Sequence, residues 1–76
     1  MTCRIFTPAE AVFEVKAVNE LVALEPSYRV GQGLYNILPK EITEAARELP
    51  DHYIWYNSLD RQFCVKYFYD HFVKEN

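Results

Sequence analysis

An all-α fold, one compact bundle of about four short helices, is the architecture to expect from three features of this chain. Apolar residues recur at three- and four-residue spacing in successive runs, which is the helical period. Pro8, Pro26, Pro39 and Pro50 fall at the edges of those runs, where proline starts or stops a helix. With 76 residues there is room for one domain and one small core.

Residues 1–6 read as a short, extended lead-in. Thr7-Pro8-Ala9-Glu10 is a capping box with proline at the first helical position: Thr7 can accept from the Glu10 amide while Glu10 reaches back. A helix is expected from Pro8 to about Glu25, where Pro26 stops it. Ala11, Val15, Val18 and Val22 form its apolar stripe, flanked by Val12 and Leu21. A second helix spans the region from Ser27, its expected N-cap, to Pro39, with Val30, Leu34 and Ile37 on one face. A third is expected over Lys40 to Leu49, with Ile42, Ala45, Ala46 and Leu49 as its stripe and Glu41, Glu44 and Glu48 as an acidic row. After Pro50 and Asp51, Tyr53 to Tyr56 is expected as a packed aromatic loop. The alternative is an α+β fold in which residues 53–56 pair with residues 3–6 as a minimal two-stranded ribbon. Asn57 or Ser58 should cap the last helix, which runs to about Val73. Its rings point in several directions. Val65, Phe68 and Phe72 with Cys64 are the expected core side, and Leu59, Phe63 and Tyr67 a second apolar face.

The second helix carries both glycines of the protein, and each costs about 1 kcal/mol relative to Ala inside a helix. Gly31 lies near the apolar side, where it lets another helix approach. Gly33 lies nearer the polar side, where it either packs or leaves backbone open to a partner. Arg29, Gln32 and Asn36 share one face at i, i+3 and i+7, either as an internally satisfied polar face or as the polar grip of a binding site. The pattern Pro26-x-x-Arg29-x-Gly31-Gln32-x-x-x-Asn36-x-Leu38 resembles a segment of small, mostly uncharacterised proteins of tailed bacteriophages. In those an N-terminal helix precedes the segment and an aromatic stretch with acidic residues follows, here Tyr53-Ile54-Trp55-Tyr56-Asn57 through Asp60. The resemblance covers about half the chain. It implies an origin in a phage or prophage and an accessory role in infection, and it carries over no catalytic residue.

The formal net charge of −3 argues against a general nucleic-acid binder, which needs a basic surface. A helix-turn-helix-like unit from the second and third helices is the nucleic-acid alternative, and the acidic third helix opposes it. No apolar leader or membrane-length run is visible, so a cytoplasmic protein with free thiols is expected, in the host cytoplasm if phage-encoded. Cys3, His52, Cys64 and His71 lack paired metal-ligand spacing, so no metal or other cofactor is expected. No oxyanion-hole turn, P-loop or dinucleotide fingerprint accompanies them, and no enzyme activity is expected.

Aromatic surplus is the functional clue. Of the 12 Phe, Tyr and Trp residues, eight lie from Tyr53 onward, more than one small core on that side should hold. Tyr and Trp are favoured at interface hot spots because they offer large rigid area with a polar tip. The expected contact surface combines Tyr53, Trp55, Tyr56, Phe63, Tyr67 and Tyr69 with Arg29, Gln32 and Asn36. The expected function is non-catalytic protein binding: a small accessory protein that docks on a host or host-defence protein and occludes it. The alternative is a self-assembling module whose spare aromatic face closes a homodimer.

Overall fold

The capping box forms as its residue types require. In the computed structural model, which describes residues 3–75, the Glu10 amide donates to Thr7 Oγ1 at 3.1 Å and the Thr7 amide to Glu10 Oε1 at 2.9 Å. It opens α1, Pro8–Leu24, which ends two residues before Pro26, with Glu25 as its C-cap. Ala11 and Val18 are buried on its inner face, with Val15 and Val22 half-buried beside them.

Helix α2, Val30–Asn36, starts later than expected. Ser27 does not cap it. Pro26 and Ser27 instead occupy the centre of a turn closed by the Tyr28 amide on the Glu25 carbonyl at 2.8 Å, a geometry that suits proline in its first central position. Arg29 takes the N-cap position with extended backbone and no side-chain cap. Pro39 both stops α2 and starts α3, Lys40–Ala46, its carbonyl accepting from the Ile42 and Thr43 amides at 2.9 Å. Helix α3 stops short of Leu49. The Glu48 and Leu49 amides turn back to Ala45 and Ala46 in tighter i→i−3 bonds, and Leu49 still reaches the edge of the core.

The aromatic stretch is neither loop nor ribbon. Asp51 adopts a left-handed conformation at φ 58°, and α4, His52–Asn57, follows it directly. The β-prone composition of Tyr53 to Tyr56 is overridden because a helical turn lets His52 and Trp55 bury together. Residues at the N-terminus pair instead with the other end of the chain. Phe6 and Val73 form an isolated parallel bridge, and the Lys74 amide donates to the Phe6 carbonyl at 2.7 Å. Among the described residues there is no strand. Helix α5, Arg61–Phe72, is capped by Asp60, whose Oδ1 accepts from the Phe63 amide at 3.2 Å. Ser58, the expected cap, accepts from the Asp60 amide instead.

Helix α2 is the hub, packing on α1, α4 and α5. Its two glycines are 200° apart around the axis at 100° per residue, so they open opposite sides of the helix. A Cβ at Gly31 would lie 2.2 Å from the Trp55 carbonyl oxygen and 2.7 Å from Tyr56 Cα. A Cβ at Gly33 would lie 2.7 Å from a Val18 methyl. Gly31 therefore admits α4 and Gly33 admits α1. Gly33 is buried and packs, and it leaves no backbone open to a partner. Trp55, Phe68, Phe72, Leu34 and Cys64 are the largest fully buried side chains.

Candidate protein-binding surface

Two of the rings expected outside are inside. Trp55 is 0% exposed and stacks on Tyr67 with centroids 5.0 Å apart and planes 8° from parallel. Tyr67 is buried, and its hydroxyl donates to the Pro50 carbonyl. Burial, with Asp51 and Cys3 adding to it, pushes that hydroxyl up to about 12, so it remains a donor. The reason is geometric. Gly31 lets the backbone of α4 at Trp55 and Tyr56 come close to α2, and the indole packs between Tyr67 and Phe72 of α5. Phe63 is half-buried with its ring 6.2 Å from Tyr67. Tyr69 is half-buried and lines a groove with Val12, Val15 and Asn19 of α1, apart from the other predicted rings.

Of the remaining expected residues, Tyr53 and Tyr56 lie together on α4 and Arg29 reaches its end, whereas Asn36 turns to Tyr28. Tyr53, on the side of α4 opposite Trp55, is 70% exposed, and Ile54, on its flank, 58% exposed. The Tyr53 ring lies 6.0 Å from Tyr56, which stacks on Tyr35 of α2 at 5.1 Å. Arg29 ties the start of α2 to the end of α4, its Nη1 donating to the Asn57 carbonyl at 2.6 Å. Gln32 and Asn36 are exposed along the same helix, and Asn36 Nδ2 donates to the Tyr28 hydroxyl at 2.6 Å. Arg29 and Asn36 are thus partly occupied in holding the fold, whereas the outer edge of Tyr53 is free to meet a partner.

Next to Arg29 the surface opens into a cleft of about 430 Å³ lined by Val22, Tyr28, Arg29, Val30, Leu59 and Arg61 among others. Arg29 and Arg61 line it together with apolar side chains, and no carboxylate lines it. Such a cleft suits an acidic side chain next to an apolar one. Ile54 and Leu59, which were not in the expected contact set, are also exposed. Leu59 stands immediately before the N-cap Asp60, in the short link between α4 and α5, and is 86% exposed.

His52 forms the inner floor of the ring cluster, 5.5 Å from Tyr35 and 5.1 Å from Tyr56. Its Nδ1 is buried without a hydrogen-bond partner. Burial first, and the Arg47 charge second, hold its imidazole below the ordinary 6.5. Between that depressed value and 6.5 the unfolded chain binds the proton and the folded chain does not. Stability should therefore fall as the pH drops below about 6.5. The urea midpoint is expected to be lower at pH 5.5 than at pH 7.5, and the difference to shrink in His52→Phe. An undiminished pH dependence in that variant would place its source elsewhere.

The remaining chemistry is quiet. Cys64 donates its thiol proton to the Trp55 carbonyl at 2.9 Å, and burial pushes its ionisation up, which disfavours the nucleophilic thiolate. Cys3 is also buried, and both thiols are free. Among the described residues no three His, Cys, Asp or Glu side chains gather to hold a metal, and no helix is long and apolar enough to cross a membrane. Among the described residues the chain is an all-α domain of five helices, and Tyr53 is the exposed ring of the cluster at α4. Set against models of protein families, curated proteins and solved structures, it gives no match.

Proposed function

We propose that this is a non-catalytic protein-binding protein that docks through the edge formed by α2 and α4. One observation carries the reading. Tyr53 and Ile54 lie in water on a six-residue helix that His52 and Trp55 anchor in the core. A large ring and a branched aliphatic held on a rigid support lose little conformational freedom on binding, which is what a hot spot requires. Tyr56 and Tyr35 extend the apolar centre. Arg29, Gln32 and Asn36 supply a polar border, and the cleft with Arg29 and Arg61 favours a partner that presents an acidic group beside an apolar one. The phage resemblance supplies the partner class: a host or host-defence protein in the host cytoplasm, occluded when this surface covers it. The exposed Glu41, Glu44 and Glu48 on and after α3 weigh against the helix-turn-helix alternative, because they would face phosphates.

A photo-crosslinking amino acid placed at Tyr53 tests the reading in host cells. Substitution there is expected to trap one host protein in high yield, and the same group at exposed Lys66 on α5 should trap it weakly or not at all. Equal trapping at both positions, or none at Tyr53, would contradict it.

A further inference from the structure

Helix α1 is apolar on both sides, and only one side is used. At 100° per residue, Ala11, Val15, Val18 and Val22 cluster on the inner face. Phe13, Ala17 and Leu24 cluster on the opposite face, with Ala9, Val12 and Ala23 along one flank and Leu21 on the other. Phe13 is 69% exposed and Leu24 81% exposed. A face turned to water is usually rich in charge. The centre of this one has Lys16 and Glu20, and neither makes an ion pair, since the one pair among the described residues is Lys66 with Asp70. Alanines at positions 9, 17 and 23 leave the helix slim enough for another to approach closely.

We infer that this face packs against the same face of a second copy, with the two α1 helices antiparallel. The arrangement of charge selects both the occupant and the direction. A two-fold axis passing between Val18 and Asn19 sets Phe13 across from Leu24 of the second copy. It also brings Lys16 beside the second copy's Glu20, and by symmetry the reverse. A parallel pair would set lysine against lysine and glutamate against glutamate. The same face thus carries its own complement, with apolar groups at both ends and opposite charges in the middle. Gly31 and Gly33 place α4 and α1 on opposite sides of α2, so this contact leaves Tyr53 and Ile54 open. The inference is independent of the function proposed above. A 17-residue helix is about 25 Å long, and a side-by-side pair of that length covers less than the ~800 Å² per partner of a standard interface. The dimer is therefore weak, with a dissociation constant on the order of 10–100 μM.

Sedimentation equilibrium of the full chain from about 1 μM to 1 mM tests this against that range. Lys16→Glu and Glu20→Lys are each expected to weaken dimerisation about tenfold, because each turns two attractive pairs into two repulsive ones. The combined variant Lys16→Glu with Glu20→Lys should return to within about threefold of the natural protein, the compensation expected of a coupled pair. Phe13→Glu should leave only monomer. All these side chains are exposed, so circular dichroism should show an unchanged fold. A natural chain that stays monomeric throughout overturns the inference and gives the face to a different occupant. A dimer that ignores the single reversals, or that the double reversal does not restore, overturns it as well.

Discussion

Gly31→Ala is expected to cost about 3 kcal/mol of folding stability, although alanine is the better helix former by about 1 kcal/mol. The added Cβ would meet the Trp55 carbonyl oxygen at 2.2 Å, Tyr56 Cα at 2.7 Å and Cys64 Sγ at 3.1 Å. The first two are backbone atoms, so no rotamer change relieves the clash, and α2 and α4 must move apart. That separation opens gaps around Trp55 and Cys64, both fully buried. A domain of this size has a total stability of roughly 4–11 kcal/mol, so a large share is lost. Thermal unfolding should come about 15 °C lower. Gly33→Ala supplies the contrast. Its Cβ meets the Val18 methyls at 2.7 and 3.3 Å and a Tyr28 ring carbon at 3.5 Å, all of them side-chain atoms. The expected net cost is about 1 kcal/mol or less, since the propensity gain offsets a small adjustment. Urea denaturation of the two variants side by side checks the ordering. Equal costs would mean that α4 does not press on Gly31.

Trp55→Ala should be the most damaging side-chain truncation in the protein, at about 3–5 kcal/mol. The indole is fully buried, stacks on Tyr67 and lies 5.5 Å from Phe72. Removing it empties the space between α4 and α5, and the remaining rings are too rigid to fill it. Since this loss approaches the whole stability, much of the variant should be unfolded at 37 °C. Trp55→Phe should cost far less, about 1–2 kcal/mol. The indole Nε1 has no hydrogen-bond partner, so phenylalanine gives up ring area and no polar contact. Circular dichroism during denaturation measures both. In the natural protein the fluorescence of this one tryptophan should shift to longer wavelength as it unfolds.

These effects show where the sequence could be read and where it could not. Thr7 and Glu10 act on each other within one turn, so the start of α1 was legible from four residues. Proline boundaries were legible for the same reason. Ser27 and Ser58 were misleading because serine also serves turns, and in both places a neighbouring turn claimed it. Gly31 was legible as a packing glycine from its position beside the apolar stripe. Gly33 was not, because its neighbour Val18 belongs to a helix that no local spacing relates to it.

The candidate surface was legible in part. Counting rings in the C-terminal third suggested a surplus on that side, but Trp55 and Tyr67 fit inside once residues 52–57 coil into a helix. What stayed outside there was Tyr53, with Tyr56 half-covered. The larger uncovered apolar area lies on α1, where Phe13 and Leu24 fall opposite the core stripe. That signal was present in the helical period, because residues 13, 17 and 24 recur on one face as regularly as the buried valines do on the other.

The central claim is that Tyr53 and Ile54 serve binding and leave the fold unaffected. The most direct measurement takes the host protein trapped at Tyr53 and compares Tyr53→Ala with Ile54→Ala for melting temperature and affinity in the same preparations. Both variants should melt within about 3 °C of the natural protein, as exposed positions do, while binding falls at least tenfold for each. Unchanged affinity, or a loss of melting temperature like that of Trp55→Ala, would contradict it.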